Sequence, residues 1–273
     1  MQSKMKIAVV LLLGIATTAC NKNSDETKAR LLVEEAGRLV CAEQYNTAKI
    51  KLDSVHLLYP KQVASRRAAK QLSDSIVYLE ALKTAHYSDS LLQITTPKVD
   101  SLTKLFKYEK NDRYEDYGKF THCLLKTDNN IDRCFLQTQV NENLQLMLKS
   151  FYVGPKAISH TIVKLSAGEN HQQAQGSLHQ FNTGANYEIL TIENAQAESL
   201  LQFVDAFRNE RMKVELINDK QKTAYTYYLI PNEKKALADT YQLFVSMRDL
   251  KQLEQQNNTA QRQISYFLQK KKQ

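Results

Sequence analysis

Apolar residues recur every three or four positions through most of the first 110 residues, the spacing of amphipathic helices. Leu31, Leu32, Gly37, Leu39 and Val40 form one stripe, and Tyr45, Ala48, Leu52, Val55 and Leu58 a second. Val63, Leu72, Ile76, Leu79 and Leu82 form a third. Pro60 is placed to open that third helix and Pro97 to break or kink it. Val99, Leu102, Leu105 and Phe106 then resume the period. Near residue 117 the pattern changes. Five of the seven glycines lie between Gly118 and Gly184, and short alternating or β-rich segments follow one another. Strands are expected at about 119–126, 132–140, 144–153, 159–165, 172–180 and 186–192. Asp128-Asn129-Asn130, Asn141-Glu142-Asn143, Gly154-Pro155 and Gly168 supply the turns.

Strands that succeed one another without helices between them pair as an antiparallel meander. An amphipathic helix is expected at 196–208 and a hairpin at about 211–217 and 223–230, turning at Asn218-Asp219-Lys220. A last helix opens at Pro231-Asn232-Glu233 and runs to the end. Its seam, Leu243, Leu250, Asn257 and Ile264 with Ser246, Leu253, Ala260 and Phe267, is coiled-coil-like. That seam is expected to dock antiparallel on Leu72, Ile76, Leu79 and Leu82 of the same chain, leaving a monomer. The fold class is therefore α+β: an N-terminal helical bundle, an antiparallel β domain (meander, sandwich or open barrel) with one helix, and a long C-terminal helix. The segments are 1–19 signal, 20–27 tether, 28–116 helical, 117–230 β and 231–273 terminal helix.

Charge adds an address. The chain of 273 residues carries 37 Lys and Arg against 29 Asp and Glu. The excess is spread out, apart from Lys270, Lys271 and Lys272 at a helix end that suits them. No basic face marks a nucleic-acid partner. At the N-terminus, Lys4 and Lys6 precede the apolar run Ile7 to Ile15 and then Thr17-Thr18-Ala19-Cys20. This is the layout of a secretory signal, and the run is too short to span a bilayer. Cys20 after small residues resembles the lipobox of bacterial lipoproteins, with Thr17 where Leu is usual. The resemblance implies cleavage before Cys20, acylation (palmitate among the chains) of its thiol and amine, and a lipid-anchored place at the bacterial outer membrane; ordinary signal cleavage after Ala19 without acylation is the other reading. The polar stretch 21–27 would be the tether.

Tyr45-Asn46-Thr47-Ala48 through Leu52, Val55, Tyr59 and Pro60 resembles one tetratricopeptide hairpin. A single unit does not make a repeat groove. With the lipobox, Tyr114-Glu115-Asp116-Tyr117-Gly118 opening the β domain and the terminal helix, the chain is similar to uncharacterised Bacteroidota-type envelope lipoproteins. That resemblance brings no catalytic residues with it.

Phosphate loops, the Gly-x-Ser-x-Gly elbow and His-Glu-x-x-His do not occur. His56, His86, His122, His160, His171 and His179 show no ligand spacing, and no metal or cofactor is expected. The acidic groups Glu34-Glu35 and Asp112/Glu115/Asp116 read as a solvated helix face and a joining loop. No catalytic residue is assigned, and the expected role is non-enzymatic binding or scaffolding with an envelope protein or glycan. A carbohydrate-binding strand is the alternative, through Tyr225, Tyr227 and Tyr228. Cys123 and Cys134 are a candidate disulfide if the turn at Asp128-Asn129 pairs Thr121 with Leu136; two reduced thiols are the other reading. Asp-Ser followed by an apolar residue, at Ser54, Ser75, Ser90 and Ser101, resembles an O-glycosylation acceptor of exported bacterial proteins.

Overall fold

The computed structural model describes residues 16–125, 130, 132–182, 185–218, 220 and 222–272. The signal's n-region and apolar run, up to Ile15, lie outside them, as do Asp128, Asn129 and Asp219. The fold is mixed α+β: among the described residues there are five helices and two open antiparallel sheets, ending in a long C-terminal helix. The chain divides into two compact units. One takes the residues up to Asp89 and from Gln255 onward, the other Ser90–Glu254.

The first unit is helical. Helix α1 spans Ala16–Cys41, α2 Tyr45–Leu58 and α3 Val63–Thr103. Helix α1 thus runs through 20–27, expected as a tether; no glycine or proline lies between Ala16 and Ala36 to stop it. Pro60 lies in the link before α3 and does not open it. Pro97 lies inside α3, which continues past it to Thr103. The α1–α2 hairpin closes over Ala29, Ala36, Ala48, Leu52 and Val55, with Ala69 and Ile76 of α3 added. Glu43 makes the turn at φ 60°.

Helix α5 spans Pro231–Lys272, and its last part belongs to this unit. Phe267 stacks on Tyr78 with ring centroids 4.5 Å apart. Ala260 and Ile264 pack on Ala81 and Ala85, Asn257 donates to Asp89 Oδ1 at 2.6 Å, and Lys270 pairs with Asp74. The docking is antiparallel within one chain, but on another face than expected. Leu72 and Ile76 are taken by the hairpin core and Leu82 is exposed. The face used instead runs 74, 78, 81, 85 and 89, where two alanines let the helices approach.

The described residues of the second unit form ten strands: β1 Phe106–Glu109, β2 Lys119–His122, β3 Phe135–Asn141, β4 Leu146–Gly154, β5 His160–Ala167, β6 Asn170–Gln175, β7 Ser177–Asn182, β8 Asn186–Glu193, β9 Met212–Asn218 and β10 Thr223–Tyr228. Helix α4, Asn194–Ala206, follows β8. The six-stranded sheet has the order β1-β2-β3-β4-β8-β7, the four-stranded sheet β10-β9-β5-β6. The meander holds for β1 to β4 only. Strand β1 stands where Leu105-Phe106 continues the helical period, because Phe106–Glu109 pairs with β2 instead. The stretch 172–180, read as one strand, is two that belong to different sheets. They divide at Gly176, whose N–H donates to Thr161 O at 3.1 Å.

Core residues alternate along each strand. Leu146, Leu148 and Tyr152 of β4, Leu190 and Ile192 of β8, and Val163 and Leu165 of β5 join Leu200, Leu201 and Val204 of α4. Leu237 and Leu243 from the first part of α5 complete the cluster. Glu233, in the first turn of α5, is buried and accepts from Leu136 N–H at 2.6 Å and Arg133 Nη1 at 3.2 Å. Thr138 donates to Thr240 at 2.9 Å.

A Cβ added at Gly176 would collide with the Thr191 carbonyl oxygen, a backbone atom held in the β7–β8 ladder. Gly176→Ala is therefore expected to destabilise the second unit by roughly 1–3 kcal/mol. Denaturant melts of wild type and variant check this, and an unchanged midpoint would contradict it.

Candidate functional site

The six-stranded sheet has a packed face and an outer face, as antiparallel sheets commonly do. On the outer face, register places Lys119 opposite Asn141, Gln139 opposite Met147, Met147 opposite Glu193, and Lys149 between Gln137 and Thr191. The loop after β1 rises over one end of this face. Its Glu115, Asp116 and Tyr117 form the wall of a cleft of about 400 Å³, floored by Lys119, Gln139, Met147 and Lys149 and closed by Gln145, Glu193 and Asn194.

Local chemistry shapes the cleft. Glu142 ties the loop down: its carboxylate accepts from Gly118 N–H at 2.9 Å and Tyr108 hydroxyl at 3.1 Å, which holds its pKa below the ordinary value, first through the Gly118 amide. Asn141 Oδ1 accepts from Asn143 and Gln145 N–H and builds the β3–β4 turn, with Leu144 at φ 64°. Asn194, at φ 49°, redirects the chain from β8 into α4 at the cleft's edge. Lys119 pairs with Glu115 at 2.9 Å, and that bond lowers the Glu115 carboxyl. Lys149 is half-buried, and burial first, then the Lys119 cation, pushes its pKa down.

A second, more open cavity of about 440 Å³ is lined by Lys98, Ser101, Leu102, Arg208, Asp239 and Gln242. Asp239 and Gln242 are already engaged within it. Asp239 takes Lys235 and His122 Nε2, the latter at 3.3 Å, and Gln242 donates to Asp205 at 2.8 Å.

Two histidines are built into the core. His122 Nδ1 accepts from Leu124 N–H at 3.2 Å, so its proton sits on Nε2 and points to Asp239. Burial holds this ring below its ordinary pKa against the pull of Asp239. His160 is fully buried, with Nδ1 2.7 Å from Glu188 Oε2. Glu188 also accepts from the N–H groups of Ile158, Ser159 and His160 at 2.7, 2.8 and 3.1 Å. Burial would raise this carboxyl, but His160 and the three amides outweigh it and hold it at about 2.

The sequence-derived sites fall elsewhere. Cys20 lies within α1. Thr121 pairs with Gln139, not Leu136. Strand β2 stops at His122 and a 3-10 turn holds Cys123–Leu125, because His122 accepts the Leu124 amide and curls the chain out of the ladder. Cys123 is exposed and Cys134 half-buried; both are free, and the register does not make them cross-strand neighbours. Cys134 Sγ contacts Val153 O at 3.6 Å.

Of the tyrosines of β10, Tyr225 and Tyr227 share a face with ring centroids 6.2 Å apart, and Tyr228 does not join them. Tyr225, 40% exposed, leans edge-on against Tyr152. The Tyr227 hydroxyl is buried. Tyr228 is on the opposite face under the Arg211 guanidinium, 3.8 Å away. Ser54 and Ser75 are half-buried and donate to Ile50 and Gln71 carbonyls, whereas Ser90 and Ser101 have the exposure a glycan needs. Among the described residues, no group of three or more His, Cys, Asp or Glu could hold a metal ion, and no helix is long and apolar enough to cross a membrane.

Glu115 and Asp116 were visible in the sequence as an acidic cluster. Lys119, Lys149 and Glu193 were not, because only strand register brings them together. No family model matches the chain, and neither a curated protein nor a solved structure matches it.

Glu188 ordinarily titrates near 4.5 and in the fold at about 2. Its contribution, roughly 3 kcal/mol, is fully present above the ordinary value and is lost as pH falls toward 2. Glu188→Gln should lower stability at pH 7 and flatten the acid limb of the stability–pH curve. Denaturant melts between pH 7 and 2.5 read both, and parallel curves for the two proteins would refute the assignment.

Proposed function

We propose that the chain is a bacterial envelope lipoprotein, anchored through Cys20, that binds its ligand in the cleft above the six-stranded sheet rather than transforming it. The cleft carries this reading. Its walls combine a tyrosine, amides, carboxylates and a half-buried lysine on a rigid sheet, the mixed lining of a site for a small polar ligand. The two core histidines support binding over catalysis, since each is turned inward: His122 spends both ring nitrogens on Leu124 and Asp239, and His160 is sealed against Glu188.

The anchor rests on the N-terminal residues Lys4, Lys6, Ile7–Ile15 and Thr17-Thr18-Ala19-Cys20. It gives the protein a place at the outer membrane, with an envelope glycan or protein as partner and no nucleic acid. The protein acts as a monomer; the intrachain docking of α5 on α3 supports this by occupying the heptad seam.

Metabolic acyl labelling should mark wild type and not Cys20→Ala, which should leave the membrane fraction. Equal labelling and membrane retention of the variant would remove the anchor. A photo-crosslinking residue in place of Tyr117, compared in intact cells with one in place of Tyr228, tests the site. Adducts are expected at 117. Adducts at 228 alone would return the binding surface to the β10 edge.

A further inference from the structure

We propose that the cleft recognises a sugar acid, its carboxylate held by Lys149 and its ring laid against Tyr117. The inference rests on the cleft being the binding site and names its ligand class.

Lys149 is the observation that drives it. It sits mid-strand in β4, between β3 and β8, half-buried on the floor of the cleft. No carboxylate forms an ion pair with it among the described residues, and the Lys119 cation that acts on it is itself committed to Glu115. A partly desolvated ammonium without a counter-charge is costly to hold, and a bound anion offsets that cost. Burial lowers its pKa, and a bound anion would raise it again by stabilising the ammonium.

The other lining groups select the anion. Asp116 and Glu193 border the same space with Glu115. Lys149 is the single cation left to hold an anion there, and the repulsion from Asp116 and Glu193 falls about twice as heavily on a phosphate dianion as on a monoanion, so a monoanion is the anion the space tolerates. Carboxylates accept hydrogen bonds only, so Asp116 and Glu193 call for hydroxyl donors on the ligand. Gln139 gives its Nε2 to Thr121 and Gln145 accepts from Asn141, leaving the Gln139 carbonyl and the Gln145 amide to pair with hydroxyls. Tyr117, half-exposed on the wall, offers a flat apolar face to the carbon side of a sugar ring. A carboxylate, several hydroxyls and a ring face on one small molecule make a sugar acid.

Calorimetry on the full-length protein in detergent tests this with three probes that share a ring: glucuronate, glucose and glucose 6-phosphate. Glucuronate should bind tightest. Lys149→Met should weaken it by about tenfold or more, Lys149→Arg should retain part of the affinity, and thermal melts should show both variants folded. Glucuronate affinity should also fall as pH rises, earlier than an ordinary lysine would dictate. Glucose binding as tightly as glucuronate, glucose 6-phosphate binding tighter, no glucuronate binding, or an affinity indifferent to Lys149→Met would each overturn the inference. Crosslinks at position 117 would then still speak for the cleft, so the two failures are separable.

Discussion

The second unit turns on one buried carboxylate. Between β4 and β5 the chain leaves the six-stranded sheet for the four-stranded one, and the bend leaves the amides of Ile158, Ser159 and His160 without ladder partners. Glu188, on the packed face of β8 opposite Tyr152, accepts all three and the His160 ring as well. Ser159 accepts φ 51° in the process. Orphan amides in a core are expensive, so the crossover is tenable only with an acceptor of this capacity beneath it. Glu188 is thus the point at which the two sheets are joined, and the negative charge is stable there because five donors, Gln180 Nε2 among them, replace its water.

The return crossing is made differently. At Gly176 the chain passes from β6 back to β7, so close to Thr191 that no side chain fits. One crossing therefore depends on a residue with many acceptor sites and the other on a residue with no side chain. Between them they place β8 beside β4, which brings Glu193 to the cleft and Thr191 beside Lys149. The site's floor is a consequence of how the core was closed on the other face.

The cleft's wall has its own support. The loop after β1 could not be held over the sheet by apolar contact, since Tyr114 is 80% exposed. It is held by Glu142, which accepts from both the Gly118 amide and Tyr108, with Tyr108 packed close against Gly118. Glu115, bonded to Lys119 and to the Asn111 amide, fixes the other side. Acidic residues that read as a joining loop thereby become the wall of the cleft.

Hydrophobic periodicity determined the order of elements, the α+β class, the hairpin of α1 and α2, the β9–β10 hairpin and the long terminal helix, because each buries a face whose spacing is written locally. Antiparallel docking of α5 was legible for the same reason, but its face was not: Tyr78, Ala81 and Ala85 received it after the hairpin core had taken Leu72 and Ile76. Sequence also misled where a local rule met a distant partner. Pro97 stayed within a helix, Phe106 became a strand when β2 lay beside it, and Cys123 left the ladder when His122 accepted the Leu124 amide. Sheet membership, the Glu188 crossover and the gathering of Lys149, Glu193 and Tyr117 were decided by tertiary structure alone. They depend on pairings between strands far apart in the chain, and period-two alternation says which face a side chain takes but not which strand will be its neighbour.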